Sequence, residues 1–282
     1  MRAWFFIVLV LAAFENAFAE LPKQRKTESH GRRQLNRMVS DIPQMGKDPF
    51  TGEWLSADDP FFTSVAVLFS GAASGVPVFW DSVLPRGPED ANHTSPRAKE
   101  LATIRIRRRD PATGEEYSFG YLWSLALYEL HNVQEWEAFS ELSIMAWLGR
   151  VSRDDYVREV VRVEYGALKA LEDFYKVSWV PFCERIDVPT SRYLWVKTGG
   201  LSFEDWFAML PEDGYYLPGY RANYASMRAK GMKFLQVFTE DEWEFFLRQN
   251  FDPWAVGSAL QAEAARLRRE RLQGQVIPAV GE

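Results

Sequence analysis

Apolar positions recur at helical spacing through the middle of the chain. Between Tyr121 and Leu148 there is neither Gly nor Pro. At about 100° per residue, Leu122, Leu125, Trp136 and Trp147 fall on one side of the wheel. That spacing predicts a helix over 121–148. A polar turn, Gly149-Arg150-Val151-Ser152, leads to a second predicted helix over 153–177. Ser152-Arg153-Asp154-Asp155 has the form of an N-terminal capping box. Val157, Val160, Val161, Leu168, Leu171 and Tyr175 form its apolar stripe, and Arg158, Arg162, Gly166, Lys169 and Asp173 its polar face. The expected fold is mainly α, or α+β with one or two small β-hairpins, organised around this long helix pair.

The flanking segments predict shorter elements. Residues 61–80 carry no charge and contain Gly71-x-x-x-Gly75. Their Ser, Gly and Pro content predicts an apolar helix at 61–70, a small-residue turn and a buried strand or loop at 76–80. The alternative is a membrane-associated structural protein with 61–80 as its span. Two segments share the order Asp-Pro-x-Thr-Gly-Glu, beginning at Asp48 and Asp110. Asp caps such a turn, Pro presets φ and Gly accepts a positive φ. Ile104 and Ile106 alternate with Arg105 and Arg107, so a hairpin is predicted at 102–119. Pro85 to Pro96 reads as a loop, and within it Asn92-His93-Thr94 is a formal glycosylation acceptor. After Trp179-Val180-Pro181 closes the pair, a short strand is expected over 192–197. A helix then runs from Ser202 through Leu210. A loop over 211–219 follows, and Tyr215, Tyr216 and Tyr220 make this region aromatic. Helices are predicted at 221–230, with Gly231 as C′ residue, and from Thr239 to Gln249. A last one starts at Asp252-Pro253.

The N-terminus changes the picture of where the chain acts. Arg2, the apolar run Trp4 to Phe14, and Ala17-Phe18-Ala19 match a cleavable export signal over 1–19. The expected destination is the periplasm or the exterior. An uncleaved segment would instead anchor the chain in a membrane, because Lys23, Arg25, Lys26, Arg32, Arg33 and Arg37 follow it. Residues 20–45 are read as a mobile basic arm, whose functional reading is weak adhesion to an anionic membrane or wall polymer. Residues 46–273 are read as a single helix-rich domain and 274–282 as a loose tail.

Composition narrows the function classes. The 282 residues are 47% hydrophobic and 26% charged, with a net charge of −6. That balance is globular, and nucleic acid is not an expected partner. The single Cys, Cys183, excludes an intrachain disulfide. With His30, His93 and His131 as the only histidines, no metal site or cofactor is implied. The 11 Trp, 11 Tyr and 20 Phe read as an aromatic core, or as a platform for sugar rings or another flat ligand. Tyr215, Tyr216 and Tyr220 are the ligand-stacking candidates.

Two carboxylates stand out as chemistry. Glu129 falls in the apolar stripe of the first helix, and Glu164 lies between Val161 and Leu168 in the stripe of the second. A buried carboxylate persists when it is paired, ligates metal or does acid–base work. Structural pairing would draw on Arg105, Arg107 or Arg108, or on Tyr and Trp donors. The catalytic reading starts from Tyr128-Glu129-Leu130-His131-Asn132. This stretch resembles the His-Glu-x-x-His helix of zincin-type metallopeptidases, with Tyr and Asn where that pattern has its two His. The resemblance implies a zincin-like domain without metal, with Glu129 matching the catalytic Glu and Glu164 a third-ligand Glu. The leading expectation is an exported binding or interaction domain. A hydrolase-like pseudoenzyme using Glu129 and Glu164 is the alternative.

Overall fold

The computed structural model describes residues 29–85, 89–97, 101–214 and 216–251. The export signal over 1–19, the start of the basic arm, Tyr215, the helix expected from Asp252 and the tail lie outside the described residues. The described residues divide into two compact units. The first takes the described residues up to 93, with 102–134 and 170–197. The second takes those of 94–101, with 135–169 and those from 198 onward. The described residues are mainly α with one small sheet.

The first unit opens with helix α1 (29–41). From residue 29 the expected basic arm is therefore helical and packed. Leu35, Met38 and Ile42 are buried, and so is Met45 in the 3-10 turn Pro43–Met45. Their spacing places them on one stripe, while Arg33, Asn36 and Arg37 stay exposed. Helix α2 (Pro60–Ser70) starts at Asp59, whose carboxylate accepts from the Phe61 N–H at 2.8 Å. It ends at Gly71, which is left-handed with φ 72°. Beyond a turn the chain enters strand β1 (Val78–Trp80). Residues 61–80 therefore do not form one span, and no helix of the described residues is long and apolar enough to cross a membrane. Gly31 on α1 meets α2 so closely that a Cβ there would lie 1.9 Å from the Ala66 carbonyl oxygen.

Strands β2 (Ala91–Thr94) and β3 (Ala102–Ile106) complete a sheet of order β1-β3-β2. β1 and β3 are parallel, with Val78 opposite Ala102 and Trp80 opposite Ile104. The expected hairpin at 102–119 is thus corrected: β3 finds its partners in β1 and β2. Of the hairpin only the turn remains, closed by a single bridge between Arg109 and Glu116. The turn at Asp48 is built the same way and closed by Lys47 and Trp54. In both, the Asp Oδ1 accepts two backbone N–H groups. The glycines Gly52 and Gly114 have φ of 73° and 75°.

The predicted first helix is two helices, α3 (Phe119–Gln134) and α4 (Trp136–Leu148). Glu135 interrupts them with φ −89° and ψ 14°. α3 belongs to the first unit and packs chiefly on β3. α4 belongs to the second and packs chiefly on a later helix. Helix α5 (Arg153–Phe174) begins at Ser152, whose Oγ accepts from the Asp155 N–H at 3.1 Å, as the capping box requires. It does not stop near 177. A π-turn, Tyr175–Trp179, carries the chain into helix α6 (Val180–Arg185). Pro181 has no N–H, and in a regular α-helix its ring would strike the Val177 carbonyl. The wider turn, in which the Val180 N–H donates to Tyr175 O, absorbs the conflict. The segment read as a strand over 192–197 is the single helical turn α7 (Arg192–Trp195), closed by Val196 N–H to Arg192 O at 2.9 Å.

In the second unit, α8 (Phe203–Ala208) starts at Ser202 as predicted. Helix α9 (Tyr216–Phe234) begins inside the expected loop and runs past Gly231. Gly231 is not a C′ residue. It lets α9 approach α4 until a Cβ would lie 2.1 Å from the Trp147 carbonyl oxygen. Arg228 donates to that same oxygen at 3.0 Å, satisfying an end carbonyl of α4. Helix α10 (Glu240–Phe251) closes the described chain, with Thr239 and Glu242 as its reciprocal cap. Leu247 and Phe251 bury against Ile144 and Leu148.

Two glycines of α9 should respond oppositely to the same change. Gly231→Ala is expected to cost roughly 1–3 kcal/mol through the forced separation from α4. Gly219→Ala meets no atom within 4 Å and is expected to stabilise the helix by about 0.5–1 kcal/mol. Urea-unfolding midpoints of the two variants check this pair.

Candidate functional site

Glu129 projects from α3 and is only 6% exposed. Its Oε2 lies 2.7 Å from Nδ1 of His93, on β2. None of the arginines considered as its partner takes that place. Arg105 pairs with Asp81, Arg107 donates to the carbonyls of Glu89 and Pro85, and Arg108 donates to Asp41 O. A second polar tie lies one residue before β2. Both carboxylate oxygens of Asp90 accept phenol groups, Oδ1 from Tyr117 and Oδ2 from Tyr121 at 2.8 Å. Burial, and then the Asp90 carboxylate, pushes both tyrosines above the ordinary phenol range. The segment from Asp90 to His93 is thereby fastened to the start and middle of α3. Asn92, in the formal glycosylation acceptor, is half-buried within strand β2 and not on the loop expected over 85–96. A carboxylate on Nδ1 fixes the imidazole's orientation.

Glu164, on α5, is also 6% exposed. Its Oε1 accepts the phenol O–H of Tyr220 on α9. Two of the sequence-selected residues are thus brought together, although one was read as catalytic and the other as ligand-binding. Tyr216 packs edge-on to Trp206 at 6.0 Å. Glu129 and Glu164 belong to different units, and each has its own partner within its unit. Glu172 escaped the reading of the sequence, though at 2% exposure it is more buried than either.

Around the zincin-like stretch the chemistry is unlike that of a metal helix. Among the described residues no group of three His, Cys, Asp or Glu could hold a metal ion. Asn132 is buried. His131 is half-buried, edge-on to Phe174 at 6.1 Å, with its Nε2 shielded from water and without a hydrogen-bond partner. Burial pushes its pKa from 6.5 down to about 4. Burial likewise pushes the Cys183 thiol up to about 12, so it is a poor nucleophile.

A groove in the first unit was not legible in the sequence. One wall is α1, contributing Arg32, Leu35, Asn36, Val39 and Ser40. Trp54 and Leu55 face it, and Phe62 of α2 also lines it. The volume is about 300 Å³. Trp54 is 61% exposed, and the Lys47 ammonium lies 5.2 Å from its ring centre. Arg32 is held at the margin by Ala57 O at 2.5 Å and Thr63 Oγ1 at 3.2 Å. Gly46 lets Val39 and the Trp54 indole close in on the backbone, since a Cβ there would lie 2.1 Å from Val39 Cγ1 and 2.8 Å from the indole. Comparison with protein-family models, with curated proteins and with solved structures finds no match for this chain.

His131 should give the fold a measurable pH dependence. The unfolded chain takes up this proton near pH 6.5, and the folded chain only near 4. The unfolded state therefore binds more protons between those values, and stability falls as pH drops through that window, by about 3 kcal/mol in full. It is fully present above about pH 6.5. In chemical unfolding at several pH values, His131→Phe should remove this component and leave the slope due to carboxylates.

The Glu164–Tyr220 contact predicts a coupled pair. Tyr220→Phe is expected to cost about 1–3 kcal/mol, because a buried carboxylate loses a donor. In a double-mutant cycle with Glu164→Gln, additive losses would show that the contact carries no energy.

Proposed function

We propose that this chain is an exported small-molecule binding domain whose site is the groove beside Trp54. The observation that carries the reading is the make-up of that groove. An apolar floor of Leu35, Val39 and Phe62 meets a polar row of Arg32, Asn36 and Ser40 under a largely exposed indole. Small-molecule sites combine mainly apolar walls with a few placed polar groups in about 300–1,000 Å³. A tryptophan that only filled a core would be covered, as Trp123, Trp179 and Trp195 are. Residues 1–19, with their apolar run and Ala17-Phe18-Ala19, support export as the route. In this reading Glu129 and Glu164 are structural, holding β2 to α3 and α9 to α5.

Trp54→Ala separates binding from folding. An exposed side chain contributes little to the fold, so the unliganded variant should unfold within about 1 kcal/mol of the parent. A ligand at a hundred times its Kd stabilises the parent by about 2.7 kcal/mol, and the variant should lose most of that gain. The check is a thermal-shift panel of saccharides, acyl anions and short peptides run on both proteins. Equal shifts in parent and variant would remove the groove as the site.

A further inference from the structure

We infer that the groove takes a linear saccharide, with one pyranose ring stacked on Trp54 and its hydroxyls read by the row Arg32–Asn36–Ser40. The inference rests on the groove being the binding site. Arg32, Asn36 and Ser40 stand at successive i+4 positions of α1, so their side chains form one ridge along the helix. Eight residues at 1.5 Å each make that ridge about 12 Å long. It is an elongated reading surface, longer than one sugar ring. Its groups are a guanidinium, a carboxamide and a hydroxyl. Together they donate and accept hydrogen bonds in sequence, as a row of ring hydroxyls demands.

The opposite wall supplies the other half of sugar recognition. A pyranose has one face of C–H groups, which settles on the electron-rich face of an indole. Trp54 is exposed enough to offer such a face. The cation of Lys47 near the ring and the close fit of Gly46 under its edge hold it in place. Arg32 is fixed by Ala57 O and Thr63 Oγ1 before any ligand arrives, which lowers the ordering cost of binding.

Other occupants fit the same walls less well. An acyl chain lying along the groove would cover the polar ridge without satisfying it, and unpaired polar groups are costly to bury. A peptide that binds as an added strand needs an open strand edge. Here one wall is a helix whose backbone hydrogen bonds are internal.

The test uses the mature chain with cello-, chito- and galacturonate oligosaccharides, alongside dodecanoate and an extended apolar peptide, measured by calorimetry. The expected result is binding of at least one saccharide, weakened roughly tenfold or more by Trp54→Ala. Asn36→Leu should also weaken it. Phe50→Ala, an exposed ring on the same turn but outside the groove, should leave affinity unchanged. If galacturonate is preferred and its binding falls with added salt, Arg32 and Lys47 act as charges. If neutral sugars bind equally, the hydroxyl row suffices. Binding of dodecanoate or peptide, sensitive to Trp54→Ala, with no saccharide bound, overturns the inference while keeping the groove as a site. No binding by any probe overturns both.

Discussion

The ring of Phe61 is the contact on which the first unit depends. It stacks on Phe182 at 4.3 Å and meets Trp123, Trp179 and Phe174 edge-on. One side chain near the start of α2 thus gathers α3, the end of α5, the π-turn and α6. Each offset or edge-to-face contact adds roughly 0.5–1.5 kcal/mol beyond the area it buries. Because Phe61 pins α2, the crossing of α1 over α2 at Gly31 is fixed as well. The next residue, Phe62, packs edge-on to Trp123 and Phe182 and also lines the groove, so the aromatic core reaches that wall.

Buried charge imposes the second constraint. Among the described residues Glu129, Glu164 and Glu172 are the carboxylates that fall in the core. An ionised group there must keep hydrogen-bond donors. His93 answers Glu129, and Tyr220 answers Glu164. Because such bonds are directional, they set register where apolar contact alone would tolerate sliding. β2 is held to α3 in this way at both Asp90 and His93. By contrast, Arg150 with Glu240 and Glu244, and Arg248 with Glu141 and Glu244, form a network at the surface. Water screens it, and its contribution is correspondingly small.

The anomalous burial of Glu129 and Glu164 could be read from the chain, because helical periodicity assigns a face to each position without any tertiary knowledge. Their partners could not. His93 precedes Glu129 by 36 residues and Tyr220 follows Glu164 by 56, and no local rule links such positions. The same limit explains the misread elements. β3 looked like a hairpin strand because the turn after it is a good one, but the strands it pairs with lie earlier in the chain. Gly231 looked like a helix end because glycine commonly is, and only the neighbouring α4 shows that it is a point of close approach.

Local chemistry was therefore determined by sequence alone. This holds for the mainly helical class, the caps at Ser152, Ser202 and Thr239, the twin Asp-Pro-x-Thr-Gly-Glu turns, and the stop at Gly71. Each depends on residues within a turn of one another, where the range of backbone geometry is small. Tertiary structure decided the division into two units, the continuation of α5 through Pro181, the partners of the buried acids, and the groove beside Trp54. Those features arise where segments distant in sequence compete for the same apolar surface and the same hydrogen-bond donors, and that competition is settled only when the chain is packed.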